Sequence, residues 1–181
     1  MKILVLTGSP HHKGTTAYLA DKFCEGAVEA GHEVHRVNTA KIDVKPCLGC
    51  DYCRRNDGEC VYSDDMQKII PYLLEADGIA FVSPLYYFGI TAQIKRVIDR
   101  FYAVNSKLRS KAKKTFLISA GSDEEAWAME SIKLHFRTMC RYLNWQPSGE
   151  LLVLGAATRE DVEGSIYSQE AKVLGMEAFY K

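Results

Sequence analysis

Met1-Lys2-Ile3-Leu4-Val5-Leu6-Thr7-Gly8-Ser9-Pro10-His11-His12-Lys13-Gly14-Thr15-Thr16 decides how the rest of the sequence is read. An apolar run of strand length, Ile3 to Thr7, passes straight into a turn rich in glycine and hydroxyl side chains. An amphipathic helical pattern then runs from Thr15 to Ala30, before Gly31. Strand, tight turn and helix in that order open a βαβ unit. The turn is a candidate phosphate cradle. N–H groups at a helix start point outward with partial positive charge, the hydroxyls of Ser9, Thr15 and Thr16 add donors, and Gly8 and Gly14 permit close approach. His11, His12 and Lys13 either bring positive charge to a phosphate or are simply solvated at a loop tip. Ser9 and Thr15 equally suit the plain shaping and capping of a βα loop. Neither G-x-G-x-x-G nor G-x-x-x-x-G-K-[ST] occurs, so a mononucleotide is expected rather than a dinucleotide or a P-loop substrate.

Outward from this unit the same alternation repeats. Strands are expected at Ile3 to Thr7, Glu33 to Val37, Gly78 to Ser83, Thr115 to Ser119 and Leu151 to Leu154. Ile79-Ala80-Phe81-Val82 is apolar throughout, as a strand covered on both faces should be. Helices are expected at Thr15 to Ala30, Asp64 to Glu75, Ala92 to Val104, Glu124 to Asn144 and Gln169 to Tyr180. Right-handed βαβ connections make this an α/β, doubly wound, five-stranded parallel sheet with helices on both faces, and the flavodoxin-like order 2-1-3-4-5 is expected. The 181 residues read as a single domain, 1–181, with one long irregular, cysteine-rich loop at about 40–63.

Two more loops fall on the sheet edge that carries the first turn. Ser83-Pro84-Leu85-Tyr86-Tyr87-Phe88-Gly89 exposes three aromatic rings, which suits either packing on a flat cofactor ring or a dimer interface. Its N–H groups can serve the pyrimidine side of such a ring. Ser119-Ala120-Gly121-Ser122, small and with free N–H groups, offers a third wall or a plain turn. Lysine plus arginine and aspartate plus glutamate both number 23, so no net field recruits a polyanion and nucleic acid is not an expected partner. The apolar N-terminal run is too short for a leader or a membrane span, which suggests a cytoplasmic protein without a membrane partner.

In that compartment six cysteines argue against a disulfide framework. Cys24 and Cys140 fall inside expected helices, where a thiol acts as a small hydrophobe. Cys47, Cys50, Cys53 and Cys60 follow C-x2-C-x2-C-x6-C. Four thiolates so close suit a [4Fe-4S] cluster or a tetrahedral zinc. Thiols that hold no metal, packed or poised for a disulfide during turnover, are the alternative.

Gly8-Ser9-Pro10 with Gly14-Thr15-Thr16, the run Ser83 to Gly89 leading into Lys95-Arg96-Val97-Ile98-Asp99-Arg100, and the cysteine block closed by Asp64-Asp65-Met66 resemble the NADPH-dependent FMN reductases of flavodoxin-like fold, above all the iron-sulfur flavoproteins among them. The resemblance covers nearly the whole chain. It implies FMN held by Ser9, Thr15 and Thr16 at the phosphate, by Pro84, Leu85, Tyr86, Tyr87 and Phe88 at the ring, and by Ala120-Gly121; His11 stands where relatives often carry Arg, and Thr15 where they carry Asn. The implied function is an oxidoreductase that takes electrons from NAD(P)H through FMN to a quinone, flavin or other acceptor, either directly or by way of a [4Fe-4S] cluster. The alternative is an electron carrier between proteins that never meets a nicotinamide. Hydride transfer to the flavin N5 demands no side-chain acid or base, so no catalytic residue is assigned. The aromatic and cysteine loops both need cover, so a homodimer or homotetramer is expected.

Overall fold

All five strands lie in one parallel sheet in the computed structural model of the chain, which describes residues 1–179. They are β1 (Lys2–Thr7), β2 (Glu33–Asn38), β3 (Gly78–Pro84), β4 (Lys114–Ala120) and β5 (Gln146–Val153), in the order β2-β1-β3-β4-β5. The expected 2-1-3-4-5 arrangement is therefore present. Between the strands run α1 (Thr15–Glu29), the one-turn α2 (Tyr52–Arg55), α3 (Met66–Glu75), α4 (Ala92–Asp99), α5 (Asn105–Ser110) and α6 (Glu130–Leu143), and α7 (Ile166–Met176) follows β5.

Strand alternation sorts the core into two layers. Leu4, Leu6, Phe81 and Leu117 face Ile69 of α3, Val97 of α4 and Phe136 of α6. Ile3, Val5, Val82 and Ile118 face Phe23 of α1 and Ala171 of α7. On that second face the two helices touch backbone to backbone, because a Cβ at Gly26 would stand 2.0 Å from the Lys172 carbonyl oxygen and one at Gly175 2.0 Å from that of Phe23.

Several boundaries differ from expectation. The helix expected over 92–104 is α-helical only to Asp99, then tightens into a 3-10 turn, Arg100–Val104, before α5. The helix expected from Glu124 begins as a 3-10 turn, Ala126–Met129, and turns α-helical at Glu130. α3 starts at Met66 because the Asp64 carboxylate accepts the Met66 N–H (3.1 Å) instead of joining the helix. α7 starts three residues earlier than expected, where Ser165 Oγ accepts the Tyr167 N–H (3.2 Å). Its expected end, Tyr180, and the domain limit at 181 lie outside the described residues. β5 begins at Gln146 rather than Leu151: as an edge strand it tolerates Pro147, and a bulge opposite Thr115 and Phe116 absorbs the irregularity. Among the described residues no helix is long and apolar enough to cross a membrane.

Candidate active site

Parallel strands deliver the loops after β1, β3, β4 and β5 to one edge, at the switch point between β1 and β3 where open α/β sheets place ligands. There they enclose a cleft of about 440 Å³. The first turn supplies Ser9, His11, Gly14, Thr15 and Thr16 to its wall. Gly14 caps α1 without any side-chain cap, no acidic residue occupies the first turn, and the N–H groups of Thr15, Thr16 and Ala17 have no partner among the described residues. Such an open helix start suits an anion. Ser9 spends its hydroxyl inside the loop, accepting the His11 N–H at 3.1 Å and reaching its carbonyl at 3.2 Å. That hydroxyl therefore shapes the turn as well as lining the cleft.

Pro84, Leu85 and Tyr86 form the facing wall. Tyr86 and Gly89 pair with each other through both backbone groups, at 3.1 and 3.2 Å, around two central residues, Tyr87 and Phe88, with φ of +46° and +62°. This left-handed pair costs non-glycine residues about 1–2 kcal/mol each, and the surrounding structure holds them there. The Leu85 N–H is spent on the Ala120 carbonyl (2.8 Å) and that of Tyr86 on Gly89, whereas those of Tyr87 and Phe88 have no partner among the described residues. Tyr87 is fully exposed, and neither it nor Phe88 lines the cleft; Phe88 packs against Trp127, ring centroids 5.0 Å apart. Ala120 and Gly121 do line it, but Gly121 offers no free N–H: it donates to the Val153 carbonyl at 3.0 Å.

The loop after β5 is a fourth wall that the sequence reading missed, with Ala156, Ala157, Thr158 and Arg159. It is tied down by Ala156 N–H to the Gly121 carbonyl (2.8 Å) and by Asp161, which accepts the N–H groups of Ala157 and Thr158 at 2.9 and 2.8 Å. Arg159, forked on the Glu163 carboxylate and 4.8 Å from the Tyr18 ring, is the one formally charged side chain among the described residues of the lining. The one available signal for this wall was position, since its loop follows a strand at the same sheet edge.

Cys47, Cys50, Cys53 and Cys60 line a second cavity, of about 390 Å³, on the long loop. All four are free thiols, and among the described residues no set of three or more metal-ligating side chains is drawn into a ready-made site. The chemistry of the donors is nevertheless that of a soft thiophilic centre. Gly49 N–H approaches Cys47 Sγ at 3.5 Å, and a buried cation, Arg100, lies within electrostatic reach of Cys60 and Cys47. Arg100 forks on Asp64, Nη1 to Oδ2 at 2.6 Å and Nη2 to Oδ1 at 3.2 Å, with both side chains almost wholly buried. Burial by itself pulls the guanidinium pKa down, but the bond and charge of Asp64, with smaller pulls from Cys60 and Cys47, leave it above its ordinary value. For Asp64, burial pushes upward and is outweighed by Arg100 and by the N–H groups of Lys45 and Met66, so its carboxyl stays below the usual range. Cys24 is half-buried and Cys140 sits in the core; burial pushes both thiols up to about 11, consistent with packing rather than chemistry.

With this geometry in view, the family model described as NADPH-dependent FMN reductase matches residues 1–158. An iron-sulfur flavoprotein of Methanocaldococcus jannaschii is 36% identical over 100 residues, which cover 55% of this chain and 51% of that protein. The chain thus spans about half the length of the iron-sulfur flavoproteins it matches. Among solved structures, an NAD(P)H:quinone oxidoreductase from Methanothermobacter marburgensis superposes with a TM-score of 0.80 at 18% identity, covering 100% of this chain and 97% of that one. An FMN-dependent NADH-azoreductase from Bacillus anthracis, solved in complex with FMN, gives 0.72 at 13% identity over 97% and 98%. At those identities the two likenesses show the fold.

Proposed function

Because the chain belongs to the NADPH-dependent FMN reductase family, we propose that it is an oxidoreductase that holds FMN in the 440 Å³ cleft and passes electrons from NAD(P)H to a quinone, flavin or other acceptor. The observation that carries this reading is the pairing, across one cleft, of an open helix start with unspent N–H donors and a wall of small and flat side chains. When bound, FMN supplies a hydride-accepting N5 and a route from two-electron donors to other acceptors. Ser9, His11, Gly14, Thr15 and Thr16 take the phosphate. Pro84, Leu85, Tyr86, Ala120 and Gly121 would pack on the ring. Ala157 and Thr158 close the side opposite the aromatic loop. No side chain is required as acid or base, so the residues bind, orient and keep water off the ring.

Cys47, Cys50, Cys53 and Cys60 are the residues that would hold a [4Fe-4S] cluster, which supplies one-electron transfer; the same donors also suit zinc. Their four thiols on one cavity beside a buried guanidinium support this assignment. Tyr86, Tyr87, Phe88 and Trp127, all exposed, support a homodimer or homotetramer, and six unpaired cysteines suit a cytoplasmic protein.

Anaerobic stopped-flow mixing of the FMN-loaded protein with NADPH and with NADH tests the reading. Rapid loss of oxidised-flavin absorbance with either nucleotide is expected. Reduction by dithionite but by neither nucleotide makes the protein an electron carrier instead, and a colourless protein that takes up no FMN overturns the cofactor assignment.

A further inference from the structure

Hydride transfer makes no use of Asp64 and Arg100, yet the fold buries this ion pair to 4% and 2% side-chain exposure. Buried pairs seldom repay their desolvation in stability, so one kept here calls for a local role. The surrounding contacts give it one. Asp64 Oδ2 accepts the Lys45 N–H at 3.0 Å while Arg100 Nη1 donates to the Lys45 carbonyl at 3.0 Å. Lys45 precedes Cys47 and Asp64 follows Cys60, so the pair closes the neck of the loop that carries all four thiols. The guanidinium is otherwise almost spent. Its Nη1 bonds to Asp64 and the Lys45 carbonyl and its Nη2 bonds once to Asp64, Tyr62 covers the group at 5.3 Å, and the buried Nε–H has no partner among the described residues. Tyr62 also lines the four-thiol cavity, which puts the covered guanidinium at that cavity's inner side.

We propose that Asp64 and Arg100 are the positioning pair of the four-thiol cavity: they tie its two ends together and set a permanent positive charge, with its Nε–H unspent, beside an anionic thiolate-bound metal centre. The proposal rests on the reading of Cys47, Cys50, Cys53 and Cys60 as metal ligands and is independent of FMN. Four thiolates around a divalent ion keep a net charge of about −2, so a fixed cation nearby favours the loaded state. Arginine suits the task because it cannot lose its proton there.

Cobalt(II) is the probe, titrated anaerobically into FMN-loaded protein with reduced thiols and read by its d–d absorbance in the red, beyond the flavin bands. Wild type is expected to bind cobalt with thiolate ligation and Cys60→Ser to lose it. The double variant Arg100→Met with Asp64→Leu refills the buried space without charge. A pair that only braced the fold would leave its cobalt affinity at the wild-type level. A positioning charge makes it about 10–100-fold weaker, with Arg100→Lys, which keeps the charge and loses the fork, in between. Wild-type affinity in the double variant, with FMN uptake intact, overturns the proposal and leaves the cysteine reading standing. Should the double variant fail to load FMN, Arg100→Lys decides, and an unchanged affinity and spectrum in it overturns the proposal. Wild-type protein that shows no thiolate–cobalt absorbance overturns the cysteine reading and this proposal together, while FMN uptake in the same sample reports separately on the cleft.

Discussion

Thr15→Glu should move stability and cofactor affinity in opposite directions. Thr15 is the first residue of α1, half-buried on the cleft wall, and the first turn holds no acidic residue and no side-chain cap. In the empty protein a carboxylate there meets the positive end of the helix dipole and stabilises by about 0.3–1 kcal/mol. For a chain of this size that raises Tm by about 1–3 °C. If the FMN phosphate sits at this helix start, a carboxylate at residue 15 would be a like-charged neighbour at short range, roughly 5 Å. At that range each charge pair costs about 1–3 kcal/mol, depending on how well water screens it. The cleft opens to solvent, so a total near the low end, about 2 kcal/mol, is appropriate and corresponds to about 30-fold weaker FMN binding. Flavin fluorescence quenching gives the affinity, and thermal melts with and without FMN give the stability. Riboflavin, which lacks the phosphate, is the control and should lose little. Equal losses for FMN and riboflavin, or FMN affinity unchanged while the empty protein gains stability, would refute the placement of the phosphate at the start of α1.

Tyr87→Gly removes a fully exposed side chain from a left-handed residue with φ +46°. Relief of about 1–2 kcal/mol, less glycine's extra chain entropy of about 0.5–1 kcal/mol, should leave the empty protein about 0.5–1 kcal/mol more stable in chemical denaturation; a loss instead would show that the ring makes contacts in solution. Lys113 concerns pH. Its ammonium donates to the Leu74 carbonyl at 3.0 Å and to that of Ala76 at the end of α3, but burial pushes its pKa from 10.5 down to about 8. Between those values the unfolded chain holds a proton that the folded chain has lost, so this group makes stability rise with pH from about 8 to 10.5. Cys24 and Cys140, raised from 9.0 to about 11, pull the other way above pH 9. The measurement is therefore the difference between wild type and Lys113→Met, expected to grow in wild type's favour by about 1–3 kcal/mol across that window. A flat difference refutes the burial argument.

The central strands were legible because two-sided burial leaves no other composition open to them: β1, β3 and β4 read as apolar runs and are apolar runs. The first half of β5 was not, since Gln146-Pro147-Ser148-Gly149 has the composition of a turn. It forms a strand because the edge asks nothing of Pro147 and because Leu174 packs where a Gly149 Cβ would be, 2.2 Å away. The same division holds at the site. Residues adjacent to their strand ends, such as Thr15, Pro84 and Gly121, follow from the βα connections alone. Arg159 comes to the cleft on a loop held by bonds between loops, such as Gly121 to Val153 and Ala156 to Gly121, which no local pattern encodes. Asp64 and Arg100 were each visible as part of a recognisable motif. Their pairing, 36 residues apart, was not.

That pairing also fixes what lies over the end of α4. Ile94, Val97, Ile98 and Phe101 form the apolar stripe that faces the core. On continuous helical geometry Arg100 falls roughly 110° away from the centre of that stripe, where a surface helix carries solvated charge. It is buried because the loop of residues 40–63 and its closing Asp64 lie over it, not because the helix turns it inward. At the other end of α4, Thr91 donates its N–H to Ser83 Oγ (2.9 Å) and its hydroxyl to the Gly8 carbonyl (3.1 Å), so the helix starts on two loops of the cleft. A helix of eight residues has a fixed length of about 12 Å and a fixed rotation per residue. The aromatic loop and the neck of the cysteine loop are therefore held in register by the residue count of α4: adding one residue would swing Arg100 by about 100°, away from Asp64, while leaving the hydrogen bonds of Thr91 in place.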